Sequence, residues 1–171
     1  MSDFVPEPTL PSDFVAPADL RVAVIRARFN AHIVDALFEG LTAQFAARGV
    51  AQGAVHVADV PGAWELPVAC AWAARRGQYE AIVALGAVIR GDTPHFDFIA
   101  RGAAEGCMRV SIDAAVPVVF GVLTTDTEEQ AIVRALPSAQ NKGRDFAEAA
   151  LEMAVLGRRL GVVVPHRPSR I

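Results

Sequence analysis

Hydrophobic positions follow two alternating patterns along this chain. Short, largely apolar runs at 20–25 (LRVAVI), 55–60, 81–88 and 116–123 have the length of β-strands, the third of them almost wholly apolar. Between them lie longer segments in which apolar residues return every third or fourth position, the spacing of an amphipathic helix. Over 31–48 that stripe is Ile33, Leu37, Leu41 and Phe45, with Asn30 placed to cap the start and Gly49 to end it. Over 64–76 it is Leu66, Ala69, Cys70 and Ala73, and over 97–110 it is Ile99, Ala103, Cys107 and Val110. Thr127 and Gln130 have capping-box spacing for a short helix to Leu136. A loop is expected over 137–143, then a last helix over 144–160 with Phe146, Ala150, Met153 and Gly157 inward.

Strands this apolar must be covered on both faces, so alternation with helices predicts an α/β fold. It takes the form of a three-layer αβα sandwich around a central four-stranded parallel sheet. The length of 171 residues is that of one domain, expected over 19–160. Residues 1–18, with Pro6, Pro8, Pro11 and Pro17 among acidic side chains, read as an extended arm, and 161–171 as a basic tail. Neither the N-terminus nor any apolar run has the form of a signal peptide or a membrane span. The net charge of −3 gives no basic face for nucleic acid. Cys70 and Cys107 lie in Ala-rich stretches without metal-ligand spacing, which predicts buried free thiols and fits a reducing cytoplasm. No cluster has the pattern of a metal site.

The chemistry concentrates in LGAVIRGDTPHFDF, 85–98. A buried strand ends here in Gly91, followed by Thr93, Pro94 and His95, with Arg90 and Asp92 beside them; open α/β sheets place ligands at such strand ends. His95 titrates near neutral pH and can exchange protons, but a lone histidine beside a helix start can equally be structural. Backbone N–H groups of the 91–93 turn and the Thr93 hydroxyl suit an anion such as phosphate, whereas the Asp92 carboxylate repels one unless it points away. Nucleotide fingerprints are absent: the first turn, RARFNAH, has no glycine, and no P-loop occurs. Phe29 in that turn either stacks on a flat heterocycle or packs under the first helix. Glu65, after Trp64, either complements a helix dipole or accepts hydrogen bonds from a ligand ring. Arg134 and Lys142 are surface ion-pair residues or phosphate ligands. His32 and His56 read as structural or surface residues.

Five segments together, RFN (28–30), VPGAWELP (60–67), LGAVIRGDTPHFDF (85–98), GVLTTDTEEQA (121–131) and NKG (141–143), resemble the lumazine synthase family in order and spacing. The resemblance covers about 21–160 and implies a flavodoxin-like fold. It also implies condensation of 5-amino-6-(ribitylamino)uracil with 3,4-dihydroxy-2-butanone 4-phosphate to 6,7-dimethyl-8-ribityllumazine, without metal or organic cofactor. By that resemblance Phe29 stacks on the pyrimidine, and Ala63, Trp64 and Glu65 border the ring and ribityl chain. The backbone of Ala87, Val88 and Ile89 contacts the pyrimidine, Asp92 and Thr93 occupy the phosphate cradle, and His95 transfers protons. Phe120, Arg134 and Lys142 come from a neighbouring subunit, with Arg134 on the phosphate. A homopentamer follows, with each arm adding a strand to the adjacent sheet through Phe14 and Val15. Closure into an icosahedral shell and association with riboflavin synthase are further family traits. Trp64, Asp92 and the Pro137–Ser138 pair depart from the usual pattern. The competing expectations are a non-catalytic flavin-binding module and a purely structural shell protein.

Overall fold

A computed structural model of the chain describes residues 10–136 and 141–162. Its elements, in order, are β1 (Val22–Ala27), α1 (Ala31–Ala47), β2 (Val55–Val60), α2 (Leu66–Arg75), β3 (Ala81–Ile89), α3 (His95–Ala114), β4 (Val118–Thr125), α4 (Glu128–Ala135) and α5 (Lys142–Arg159). The strands form one sheet in the order β2-β1-β3-β4, every pair parallel. Two consecutive strands, β1 and β2, therefore run one way across the sheet, and β3 and β4 return the other way from β1. The sheet reverses direction between β1 and β3, as in flavodoxin-like folds.

The period of two along a strand divides the core in half. Val22 and Val24 of β1 join Val83 and Leu85 of β3 beneath α1, α4 and α5. Ala23, Ile25 and Ala27 join Ile82 and Ala84 on the opposite face, beneath α2 and α3. The apolar stripes expected on α1 and α2 are buried as read. Strand β2 is an edge and keeps several side chains exposed, which its mixed polarity allows. Cys70 and Cys107 are buried and free, facing one another between α2 and α3. A hydrogen bond with Cys107 and burial push the Cys70 thiol upward in pKa.

Helix α1 ends at Gly49, where φ is +78°. The N–H groups of Gly49 and Val50 reach back to Ala46 and Phe45 in a Schellman closure, which Gly adopts without a Cβ clash. The start of α1 differs from expectation. Asn30 makes no side-chain cap; it sits in the left-handed region at φ 58°. Its Nδ2 instead donates to the Ala87 carbonyl at 3.0 Å. A long-range bond to β3 has taken the amide that a local cap would have used.

Helix α5 keeps only part of the expected inward face, with Ala150 buried and Phe146 packed against the core. Its buried residues are Gly143, Ala147, Ala150, Leu151 and Ala154, while Met153 is 45% exposed. The small residues win because α5 approaches α1 closely: a Cβ on Gly143 would collide with the Leu37 carbonyl. Asn141 organises this junction. Its Oδ1 accepts from the Gly143 N–H at 2.8 Å, and its Nδ2 donates to the carbonyls of Ala36 and Ala135 at 3.0 and 2.7 Å. One buried amide thus caps α5 and ties it to α1 and α4, and the loop expected over 137–143 is already helical from Lys142.

Residues 10–20 have no helix or strand, yet Leu10 and Ala16 are buried and Phe14 packs against the core of its own chain. Arg48 holds this stretch: Nη1 donates to the carbonyls of Pro11 and Ser12, while Nε and Nη2 hold Glu148 at 2.7 and 2.9 Å. The described part of the arm therefore packs where an unpacked segment is expected; Val15 is exposed. Arg158 near the end of α5 is paired with Glu80 and with Asp19, just before β1. The Pro137–Ser138 departure, residues 1–9 and most of the basic tail lie outside the described residues.

Candidate functional site

The carboxyl ends of β1 and β3 meet at the reversal of strand order, the place where open α/β sheets bind ligands. A cavity of about 820 Å³ opens there. The β1 end supplies Phe29, whose N–H donates to the Pro61 carbonyl at 3.1 Å and whose ring is 71% exposed at the pocket. This excludes packing beneath α1 and leaves the ring face open to a flat ligand. The turn after β2 supplies Ala63, Trp64 and Glu65, and the end of β3 supplies Ala87, Val88 and Ile89.

Glu65 serves the fold and faces the pocket. Oε2 accepts from the Gly62 N–H at 2.9 Å, fixing the short helical turn over Ala63–Glu65, and the residue remains in the lining. Gly91, Thr93 and His95 close the far side. His95 is the first residue of α3, so its imidazole projects from the helix start beside the turn. Asp92, between two lining residues, is not part of the lining. An anion in the cavity would therefore meet Thr93 and the backbone of the turn rather than the Asp92 carboxylate.

Three expected site residues are elsewhere in the same chain. Phe120, Arg134 and Lys142 line a second depression of about 320 Å³ between β4, α4 and α5. Arg134 donates from Nη1 to the Gln130 carbonyl at 2.9 Å, and Lys142 pairs with Asp145 at 3.0 Å. Each cation retains donors, since a guanidinium carries five N–H groups and an ammonium three. The chain thus presents a largely apolar pocket with an exposed aromatic ring and, separately, a depression lined by Arg134 and Lys142.

Two contributors escaped the sequence reading. Gly102 of α3 lies under the Trp64 indole, and a Cβ there would collide with Cζ3. Gly106, one turn on, does the same for Pro67, whose Cβ and Cγ would stand 2.7 Å away. Glycines four apart on a helix make one groove, and that spacing is the signal a sequence carries for them. Arg90 was noted only as a cation beside His95; it is the hub of an ion cluster with Asp97 and Asp126. His32 pairs with Glu128 and His56 with Tyr79, both away from the cavity. Among the described residues no group of side chains could hold a metal ion, and no helix is long and apolar enough to cross a membrane.

These features define a flavodoxin-like α/β protein with a ligand crevice at the switch point between β1 and β3. The family model of 6,7-dimethyl-8-ribityllumazine synthase matches residues 19–158. The 6,7-dimethyl-8-ribityllumazine synthase of Salinibacter ruber (strain DSM 13855 / M31) is 50% identical over 140 residues, covering 82% of this chain and 90% of that protein. That of Desulfatibacillum aliphaticivorans is 48% identical over 139 residues, covering 81% and 90%. The chain belongs to the 6,7-dimethyl-8-ribityllumazine synthase family.

Proposed function

We propose that this chain is a transferase that condenses 5-amino-6-(ribitylamino)uracil with 3,4-dihydroxy-2-butanone 4-phosphate. The product is 6,7-dimethyl-8-ribityllumazine, and phosphate and water are released. Family membership supports the reaction. The observation that carries the site is the convergence of Phe29, Glu65, Thr93 and His95 on one cavity at the β1/β3 switch point.

The pyrimidine lies on the Phe29 ring, with the backbone of Ala87, Val88 and Ile89 along its edge. Glu65 accepts from ring N–H groups, and Ala63 and Trp64 flank the ribityl chain. Thr93 and the turn N–H groups face the phosphate. The amine attacks the ketone and water leaves to give an imine. Loss of the C–H proton beside the imine expels phosphate and leaves an enol that becomes a second ketone. The second amine adds to that ketone, a second water leaves and the ring closes. His95 moves protons between these steps. Holding both substrates in register contributes much of the acceleration, up to about 7–11 kcal/mol in favourable intramolecular cases.

Phe120, Arg134 and Lys142 line their own depression, apart from His95 in the chain. That separation supports a site completed between subunits, with Arg134 on the phosphate of the neighbouring copy. A cyclic homopentamer in the cytoplasm follows as the working form, with the domain over 19–160, the arm crossing to an adjacent sheet edge and the basic tail beyond. Closure of pentamers into an icosahedral shell, and association with riboflavin synthase, extend the same reading.

The test is lumazine formation from the two substrates, followed optically, with the mass of the active species measured by light scattering. Turnover by a pentamer or larger assembly is expected. Flavin affinity without turnover would make the chain a binding module, and an active monomer would remove the shared site.

A further inference from the structure

Arg90 follows the last residue of β3 and precedes the turn that carries Thr93 and His95. As a cation at a strand end beside a phosphate cradle, it has the look of an anion ligand. Its guanidinium is instead engaged within the chain. Nε donates to Asp126 Oδ1 at 2.8 Å, and Nη1 and Nη2 reach the two oxygens of Asp97 at 3.3 and 3.2 Å. Its Cζ lies 4.1 Å from the centroid of the Phe96 ring, within range of a cation–π contact. The Arg90 N–H donates to the Thr125 carbonyl at 2.9 Å. Two carboxylates against one guanidinium leave the cluster with net negative charge, the wrong sign for holding phosphate.

The geometry has a different use. Asp97 and Phe96 belong to the first turn of α3, Arg90 to the end of β3, and Asp126 to the loop after β4. Arg90 therefore clamps both ends of the turn over 91–95, at whose apex Thr93 and His95 face the cavity. The path continues on the other side. The Asp126 N–H donates to Gln130 Oε1 at 3.0 Å, and the Gln130 carbonyl accepts from Arg134 Nη1 at 2.9 Å. An unbroken run of contacts joins the turn carrying His95 to Arg134 in the other depression. Gln130 is available for this because its side chain turns to Asp126, while Thr127 alone caps α4 by accepting from the Gln130 N–H at 3.3 Å.

We propose that Arg90 is a positioning residue for phosphate capture, setting the Thr93–His95 turn directly and Arg134 through Asp126 and Gln130. It touches no substrate itself. Because Arg134 serves a neighbouring site in the reading above, one Arg90 clamp adjusts phosphate binding in two adjacent sites of an assembly. The inference rests on that reading, but inorganic phosphate binding tests it without turnover.

The experiment uses the full chain and three variants: Arg90→Ala, Arg90→Lys and Asp126→Asn. Phosphate affinity is measured by calorimetry, riboflavin affinity by fluorescence, and the Michaelis constants of both substrates by lumazine formation. Arg90→Ala is expected to weaken phosphate and raise the constant for the phosphorylated ketone by roughly fivefold or more, the scale of coupling through a contact network. Riboflavin affinity and the pyrimidine constant stay within about twofold, because Phe29 and Glu65 sit on other elements. Guanidinium ion added to Arg90→Ala restores part of the phosphate affinity. Arg90→Lys keeps the charge without the fork and recovers only part of it. Asp126→Asn, an exposed change that keeps Arg90 bound to Asp97 and removes the charge but not the acceptor at position 126, reproduces part of the phosphate effect even if Arg90→Ala fails to fold. Unchanged phosphate affinity in Asp126→Asn and in any folded Arg90 variant would overturn the proposal. So would an equal loss of flavin and phosphate affinity, which marks general loosening. A parent chain that binds phosphate but makes no lumazine would refute the reaction and leave the clamp to be judged on phosphate affinity.

Discussion

The indole of Trp64 rests on the bare backbone of Gly102, in a groove that any larger residue would fill. This contact sets one wall of the cavity, because Trp64 is 57% exposed and lines it. Gly102→Ala adds a methyl group where the ring now lies. The ring is free to swing outward, so the overpacking cost of about 1–3 kcal/mol is largely avoided. Alanine also gains about 1 kcal/mol of helix propensity over glycine. Thermal stability is therefore expected to change little while the wall moves. Pyrimidine and riboflavin affinities should fall, and tryptophan emission should shift toward that of exposed indole. Unchanged emission and affinity would place the Trp64–Gly102 contact outside the working pocket.

Phe29 offers a ring face with almost no burial to lose. Phe29→Leu keeps an apolar side chain and removes the π-face. The expected loss is that of one aromatic contact, about 0.5–1.5 kcal/mol. It should appear in riboflavin and pyrimidine binding and leave the phosphorylated ketone unaffected. Parallel titrations of riboflavin fluorescence decide it, with equal affinities returning Phe29 to a structural role.

His95 stands at the start of α3 with its imidazole in the cavity. His95→Ala should lower kcat by about a hundredfold, the low end for a general acid–base group. The low end is expected because holding both substrates in register supplies much of the acceleration without the imidazole. Riboflavin affinity, which needs the ring face and not the imidazole, should persist. An unchanged kcat would remove His95 from proton transfer.

Much of this architecture was legible because strands and helices bury periodic stripes. The stripes on α1 and α2 name the residues that are found inside. Reading failed where long-range contacts outcompeted local ones. Asn30 has the composition of a helix cap, yet its amide reaches Ala87 on β3. On α5 the bulkier residues suggested the inward face, but Gly143 and a row of alanines permit a close approach to α1 that Met153 could not. At the site, residue types named candidates, and the structure brings Phe29, Glu65, Thr93 and His95 to one cavity. Whether Phe29 was free or packed, and which carboxylates the Arg90 guanidinium would meet, depended on partners distant in sequence.

Arg48 and Glu148 join α1 to α5 and secure residues 11 and 12, with little exposure of either side chain. Burial alone would push the Glu148 carboxyl upward. Hydrogen bonds from Arg48 and Gln44 outweigh it and hold the carboxyl below its usual range. A carboxylate depressed in the folded state stabilises at pH values above its unfolded pKa. That contribution is lost as pH falls through the folded value. Acid titration of the parent should therefore show a stability loss below about pH 4.5 that is smaller in Glu148→Gln. At neutral pH the variant leaves Arg48 with Glu152 as its remaining carboxylate neighbour and a neutral acceptor at position 148, so a loss of about 1.5–3 kcal/mol, that of a hydrogen bond to a charged group, is expected. Identical acid profiles would show that another carboxylate controls this limb.

Arg134 lies on α4, one turn beyond Gln130, with donors left over after its bond to the Gln130 carbonyl. If it grips phosphate for an adjacent site, truncation removes a charge-assisted hydrogen bond worth about 1.5–3 kcal/mol. Arg134→Ala should raise the Michaelis constant for the phosphorylated ketone by roughly 10- to 150-fold. The constant for the pyrimidine should stay nearly fixed, because that substrate carries no phosphate. Mixing distinguishes a shared site from a self-contained one. If each site draws its two residues from different copies, assemblies reconstituted from Arg134→Ala and His95→Ala chains should contain some sites with both residues intact. Activity recovered on co-assembly, above that of either variant alone, is the expected outcome. No recovery in mixed assemblies of proven composition would mean that Arg134 and His95 act within one chain.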